Sequence, residues 1–446
     1  MSEPVVDTIS SHPMRARFQT AATVLVCVLI LGVPLVSGNV VSGIDVVTLL
    51  TPLALLGGLL LIRSGGLSSL LCRKYAVAAA LFLVWALISI AVIGTNRGSE
   101  LMTWIRYLSY FLLIPAVGLV ASSSKDRTAL LWALAIAGVG ASLYGLYQFV
   151  NPSIMSDTFA ASAAIPVRVY STFTNPNFFS EFLLISLCGS GALFVTYVKK
   201  RRTACGAVVV MILIQLAAFF LTYTRGSWLA LAAGIVVAAL VLRPRLAGIC
   251  AVLIILVGLI PPVLTRILGI FSGDGSTKFR LGLWKAALTA IKEKPLFGGG
   301  LGDFYTIYQH VVETHPALYQ GYSQFGSHNS YLQLTAETGI LGGLLFICAV
   351  VGLVWAGVWL ARRARRAESK RVTLQAALLL AGLTAFILNA LTSDSFQHPH
   401  AAVYFFVLAG TLMGLGSGQW HTPKALSSSA FYQKVFGAKP TPSDQD

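Results

Sequence analysis

Ser327-His328-Asn329-Ser330-Tyr331 closes the one long polar stretch of this chain, Leu264 to Glu337, just ahead of an apolar run. Earlier in that stretch, Lys278-Phe279-Arg280-Leu281-Gly282-Leu283-Trp284 opens a short amphipathic helix. Around it lie hydrophobic runs joined by short basic connectors. The 446 residues are 56% hydrophobic and 11% charged, whereas soluble domains carry roughly 25% charged residues. A membrane span takes about 20 mostly apolar residues. Such runs fall near 21–37, 46–62, 75–94, 104–121, 128–150, 178–198, 204–222, 227–242, 246–264, 338–360, 372–393 and 401–417. The expectation is therefore an all-α polytopic membrane protein with about twelve transmembrane helices. Residues 1–264 hold the first nine, 265–337 an outer loop with amphipathic helices, 338–417 the last three, and 418–446 a polar tail. The run Ala21–Ser37 lacks a small-residue cleavage site and reads as the first span, not as a signal peptide.

Charge orients the spans. Arg15/Arg17, Arg63/Arg73/Lys74, Lys125/Arg127, Lys199–Arg202, Arg243/Arg245, Arg362–Arg371 and the C-terminal lysines fall in every second connection. That side carries 22 Lys/Arg and 6 Asp/Glu, the other 10 of each, so the net charge of +16 sits on one face. The positive-inside rule makes that face cytoplasmic, with both termini, and puts the long loop outside. It also accounts for the basic balance without nucleic acid. The six cysteines lie in or beside apolar runs with no CxxC spacing, which speaks against a disulfide or zinc framework.

Cations on the outer side run against the charge rule, so each needs a local reason. On a helical wheel of Lys278–Lys294, Phe279, Leu281, Leu283, Trp284, Ala286, Ala287, Leu288, Ala290 and Ile291 fill one arc. Lys278, Gly282, Lys285, Thr289, Lys292 and Glu293 fill the other, and Arg280 falls inside the apolar arc. A guanidinium there takes either a phosphate or carboxylate ligand, or a buried partner such as Glu337 or Glu181. Arg225, in the turn Thr222-Tyr223-Thr224-Arg225-Gly226-Ser227-Trp228, is a second anion ligand or an interface arginine beside Tyr223 and Trp228. His328 precedes a helix capped by Asn329 or Ser330. The positive helix terminus would keep its imidazole neutral and able to accept a proton; the plainer reading is a capping or interfacial histidine. Asn175-Pro176-Asn177 reads as a turn and N-cap whose amides could also meet sugar hydroxyls. Arg168 lies in the connection ahead of it. No metal site is expected: His398-Pro399-His400 with Asp394 completes no recognisable ligand spacing. Walker A, HExxH and GxSxG patterns are absent.

In order, Asn175-Pro176-Asn177, Thr224-Arg225-Gly226-Ser227, Arg280-Leu281-Gly282-Leu283-Trp284, Pro295-Leu296-Phe297-Gly298-Gly299-Gly300, His328-Asn329-Ser330-Tyr331-Leu332 and Glu337-Thr338-Gly339-Ile340-Leu341-Gly342 resemble the O-antigen ligase family of bacterial inner membranes. That family shares its core pattern with O-antigen polymerases and protein O-oligosaccharyltransferases, and the similarity spans roughly residues 95–415. The resemblance implies a GT-C-type membrane glycosyltransferase that works without metal or cofactor at the periplasmic face. Its donor would be an undecaprenyl-diphosphate-linked O-antigen and its acceptor a sugar hydroxyl of lipid A-core. Arg225 and Arg280 would hold the diphosphate, His328 would be the general base, and Arg168, Asn175, Asn177 and Asn329 would contact substrate. A polymerase or protein glycosyltransferase keeps this chemistry and changes the acceptor. A lipid-linked-glycan transporter would instead need charge along a path through the membrane in two matching halves. Here the cations gather at one mouth.

Overall fold

A computed structural model describes residues 11–36, 40–41, 44–45, 51–52, 54–56, 58, 74–155, 167–199, 201–260, 264, 268, 275–320 and 326–417. The helices are α1 (Ser11–Val36), α2 (Lys74–Ile93), α3 (Arg97–Val120), α4 (Ser124–Val150), α5 (Pro176–Tyr197), α6 (Arg202–Leu221), α7 (Arg225–Leu242), α8 (Pro244–Gly258), α9 (Gly275–Glu293), α10 (Phe304–Thr314), α11 (Ser330–Arg366), α12 (Lys370–Asn389) and α13 (Pro399–Ser417). A two-residue ladder, Val40–Val41 on Ile44–Asp45, is the sole pairing of strands among the described residues. Polar caps set several starts. Asn96, Ser123, Asn175 and Asn329 each accept a first-turn amide, and Pro176 and Pro244 occupy first-turn positions where no amide is missed.

Ten of these helices are long and apolar enough to cross a membrane: α1 to α7 and α11 to α13. The span expected at 46–62 lies largely outside the described residues. The one expected at 246–264 is α8, only 15 residues long, or about 22 Å at 1.5 Å per residue. That is short of the hydrocarbon core of about 30 Å. Even so, α8 carries the chain back. Its last turns, at Leu253, Ile254 and Val257, share an apolar groove with Trp228 and Leu229 at the start of α7, so the two helices run antiparallel.

Burial is ordered as a bilayer solvent requires. Helix α13 is almost wholly enclosed, and α5 and α12 come next. Val77, Leu81, Val84 and Leu87 of α2 and Ile249, Val252, Leu253 and Leu256 of α8 are exposed, as side chains facing lipid should be. Close backbone approach replaces a hydrophobic drive where helices meet in lipid. Gly234 of α7 lies against the Ala381 carbonyl of α12, and this seats the helix that begins with Arg225.

At one end of the bundle α9 and α10 build a second small core. Leu283, Ala286, Ala287 and Ala290 pack on Phe304, Ile307, Tyr308 and Val311, and Ala336 of α11 closes it. The wheel expectation for α9 needs correcting. Gly282, placed on the polar arc, is buried against Gln320, while Leu281 and Leu288, placed on the apolar arc, are exposed. The cause is the chain after α10, which folds back over the Gly282 side.

Helix α11 is broken at Gly339, with φ 76° and ψ 173°. The Pro295–Gly300 loop fills the break. Ile340 N–H donates to the Pro295 carbonyl (2.8 Å), Gly299 N–H to Ala336 (2.9 Å) and Gly300 N–H to Glu337 (3.1 Å). Trp85 Nε1 donates to the Thr338 carbonyl (2.9 Å) and its ring stacks on Phe297. A Cβ on Gly339 would land on the Leu296 carbonyl, in a conformation that L-residues rarely adopt. Strain of this kind costs about 1–3 kcal/mol before any clash. Gly339→Ala should therefore lower the unfolding midpoint in detergent. Gly248→Ala, with nothing within 4 Å, should leave it unchanged or slightly raised; equal midpoints for both would show that the break carries no strain.

Candidate functional site

Three helix starts and one turn meet at this end of the bundle. The chain entering α5 holds Arg168, whose Nε donates to the Thr222 carbonyl (2.8 Å). Its Nη2 donates to Asn177 Oδ1 and to Thr224 Oγ1, both at 3.1 Å. Arg168 thus fastens the start of α5 to the turn that leads into α7. Tyr223 takes φ 49° in that turn, and Arg225 follows as the first residue of α7. Gly226 is pressed to Thr392, where a Cβ would stand 2.6 Å from Oγ1. Under it, Ser180 and Ser227 share a hydrogen bond (2.7 Å), Ser227 Oγ donates to Asn389 Oδ1 (3.0 Å), and Asn389 Nδ2 donates to Glu181 Oε1 (3.1 Å). Ser393 also donates to Glu181.

The resulting cleft is lined by Arg168, Asn177, Arg225, Ser276, Arg280 and Ser393, among others. The cleft leaves about 30 Å³ for a water-sized molecule and is open to solvent. Three arginines that sequence placed on three separate connections therefore line one cleft. The carboxylates once considered as partners for Arg280 are otherwise engaged. Glu337 accepts from Gln333 Nε2 and Gly302 N–H, both at 2.9 Å, and Glu181 accepts from Asn389 and Ser393.

His328 stands just beyond the cleft, where its charge neighbours are Asp394 and Arg280. Its φ of 52° turns the chain into α11. Asn329 is the N-cap: its Oδ1 accepts from Tyr331 and Leu332 N–H, both at 3.1 Å. Ser330 sews this start to the turn between α12 and α13. Its N–H donates to the Ala390 (2.9 Å) and Ser393 (3.1 Å) carbonyls, and Gln397 Nε2 donates to the Ser330 carbonyl (3.1 Å). That stitching brings Asp394 Oδ2 to 3.3 Å from His328 Nδ1, with the carboxylate almost fully buried. Burial holds His328 below the ordinary imidazole pKa. Asp394 opposes the shift and Arg280 adds to it. The expected direction is thus present, but burial and Arg280 produce it, where a helix terminus had been expected to. Burial likewise raises the Asp394 carboxyl, against the pull of His328 and Arg280.

Of the residues expected to contact substrate, Arg168, Arg225, Arg280 and Asn177 share the cleft. Asn175 and Asn329 are helix caps, Asn175 Oδ1 accepting from Asn177 N–H at 2.8 Å. Asp394 had been weighed only as a metal ligand; its sole sequence signal is an acid in a short turn on the side of the arginines. His398 and His400 pack on the Phe178 ring. Among the described residues no group of three or more His, Cys, Asp or Glu side chains is placed to hold a metal ion.

Fold and site together define a multi-pass membrane protein with a cationic cleft and a histidine–carboxylate pair at one mouth of its helix bundle. Residues 207–347 match the family described as O-antigen ligase, which supports an O-antigen ligase family assignment for this chain and a ligase- or polymerase-type activity in general. That segment contains Arg225, Arg280 and His328. No curated protein matches the chain.

Loss of a capping side chain costs about 1 kcal/mol. Asn329→Ala should speed amide exchange over Tyr331–Gln333, and Asn329→Asp, which keeps the acceptor, should not. Equal exchange in all three proteins would remove the cap from the account of how His328 is placed.

Proposed function

We propose that this chain is a lipopolysaccharide O-antigen ligase of the bacterial inner membrane, its site facing the periplasm. It transfers polysaccharide from an undecaprenyl-diphosphate carrier to a sugar hydroxyl of lipid A-core. The observation that carries this reading is the convergence of Arg168, Arg225 and Arg280 in one cleft beside the His328–Asp394 pair. The diphosphate sits in the open mouth, since about 30 Å³ is far too little room to enclose it. The acceptor oxygen attacks the anomeric carbon, the bond from that carbon to the diphosphate oxygen breaks, and the configuration inverts. Charge developing on the departing diphosphate meets arginine forks already in place. Asp394 Oδ2, 3.3 Å from His328 Nδ1, favours the proton on that nitrogen and leaves Nε2 as the basic nitrogen that takes the acceptor's proton. The arginines supply the positive charge that the leaving group needs, so no cofactor enters these steps. The side of the membrane is read from charge: the arginine end carries as many acids as bases.

Purified protein is given an undecaprenyl-diphosphate glycan and lipid A-core in detergent with a metal chelator. Wild type should transfer, and His328→Ala should lose transfer while still inserting and folding. Arg280→Lys should fall at least about tenfold, because an ammonium lacks the bidentate fork. Full activity in His328→Ala would remove it as the base. No transfer by any variant, given a donor of proven activity, would shift the acceptor to a glycan or to a protein hydroxyl.

The pH profile separates base from bystander. A base held below the ordinary imidazole pKa is mostly unprotonated at pH 7, so the acid limb of the activity profile should lie below that of a free imidazole. Asp394 raises the His328 pKa; removing its charge lowers it. Asp394→Asn should therefore reduce the rate and move the acid limb to lower pH. An unmoved limb would mean that some other group titrates.

A further inference from the structure

At the end of the bundle opposite His328, a cavity of about 610 Å³ opens between the α7–α8 turn and the α11–α12 turn. Three cations line it, Arg243, Arg365 and Lys370, with Glu368 the one acid. Leu242, Leu246 and Leu374 supply its apolar wall and Thr373 a hydroxyl. Arg365 is anchored to the far side of the cavity, its Nη1 donating to the Val241 carbonyl at 3.4 Å. The three cations outweigh Glu368 by two charges, and nothing in the arginine–histidine site uses any of them.

We propose that this cavity is a binding site for an anionic phospholipid of the leaflet that faces the basic end of the bundle. The backbone favours the same ligand. Two helices begin at the cavity: α8 after Arg243 and α12 after Ser369, neither with a side-chain cap on its first-turn amides. The two helix dipoles add positive potential toward the same space. A phosphodiester headgroup fits between Arg243, Arg365 and Lys370. Its acyl chains then run along Leu242 and Leu246, onto the exposed apolar face of α8 at Ile249, Leu253 and Leu256. A free phosphate would use the cations and leave the leucine wall idle. A zwitterionic lipid would use the wall and gain no net attraction from the charge. Basic pockets between transmembrane helices at the cytoplasmic side recognise anionic headgroups in this way. The inference is independent of the transferase reading, since it concerns the opposite mouth.

Native mass spectrometry of the purified chain in detergent, titrated with phosphatidylglycerol or phosphatidylcholine, tests it. Wild type should retain phosphatidylglycerol in preference to phosphatidylcholine, and millimolar inorganic phosphate should not displace it. Each cation near a membrane surface is worth about a fivefold change in lipid affinity. The triple variant Arg243→Gln/Arg365→Gln/Lys370→Gln should thus lose on the order of a hundredfold. Arg243→Gln alone, at an exposed position, should lose about fivefold and serves should the triple variant fail to insert. Lys292→Gln, at the other mouth, should lose nothing. Three outcomes would overturn the proposal: equal retention of both lipids, full displacement by inorganic phosphate, or wild-type retention by Arg243→Gln.

Discussion

The geometry of the site depends on the four hydrogen bonds that span the break in α11. In an unbroken helix the Ala336 carbonyl would accept from the Ile340 amide. Here Gly339 turns the backbone aside, and both groups need other partners. Gly299 N–H takes the carbonyl and the Pro295 carbonyl takes the amide. The Gly-rich loop is thus sewn into the helix as a splint. Because that loop follows α9 directly, the splint fixes α9, and with it Arg280, against the first turns of α11, which begin just after His328. Glu337 strengthens the join from within by accepting the Gly302 amide. Its place in the sequence near Gly339 has a structural reason: one carboxylate oxygen takes Gln333 from its own helix and the other takes a donor that the open loop brings.

A second tie runs beneath the cleft. The hydroxyl and amide chain Ser180–Ser227–Asn389–Glu181 joins α5, α7 and α12 below the arginines. In lipid such groups have no water to fall back on, so they bind one another. The chain holds the start of α7 close to the α12–α13 turn, which is also where Asp394 sits. Positioning of Arg225 and of the His328 partner therefore shares one set of side chains. The cleft rests on helix ends locked from below, while its mouth stays open.

Much of this was legible from sequence, wherever the cause is local. Apolar run length gave ten of the spans. Helix caps at Asn175-Pro176-Asn177 and at Asn329 or Ser330 were legible because a cap acts only on the next few residues, and the structure selects Asn175 and Asn329. The arginines stood out because they oppose the charge rule, a property of each connection by itself. What escaped depends on distant chain. Gly282 looked polar-facing on the wheel, and only Gln320, brought over from beyond α10, buries it. Asp394 gave no sign of its pairing because its partner lies ahead of another helix, and the two meet through Ser330. The depressed His328 basicity was expected from a helix terminus, yet burial and Arg280 produce it; an environment made by three segments could not be read from one.

The proposed reading also gives a reason for histidine and arginines to lie on separate segments. An imidazole this close to a guanidinium is pushed toward its neutral form, which suits proton acceptance but weakens the base if unopposed. Asp394 supplies the opposition at 3.3 Å, and because it is buried its field is little screened. In the proposed transfer, Arg280 can then stay close to the leaving group without stripping His328 of basicity. Asp394, behind the histidine on the turn after α12, raises the imidazole's pKa against burial and Arg280.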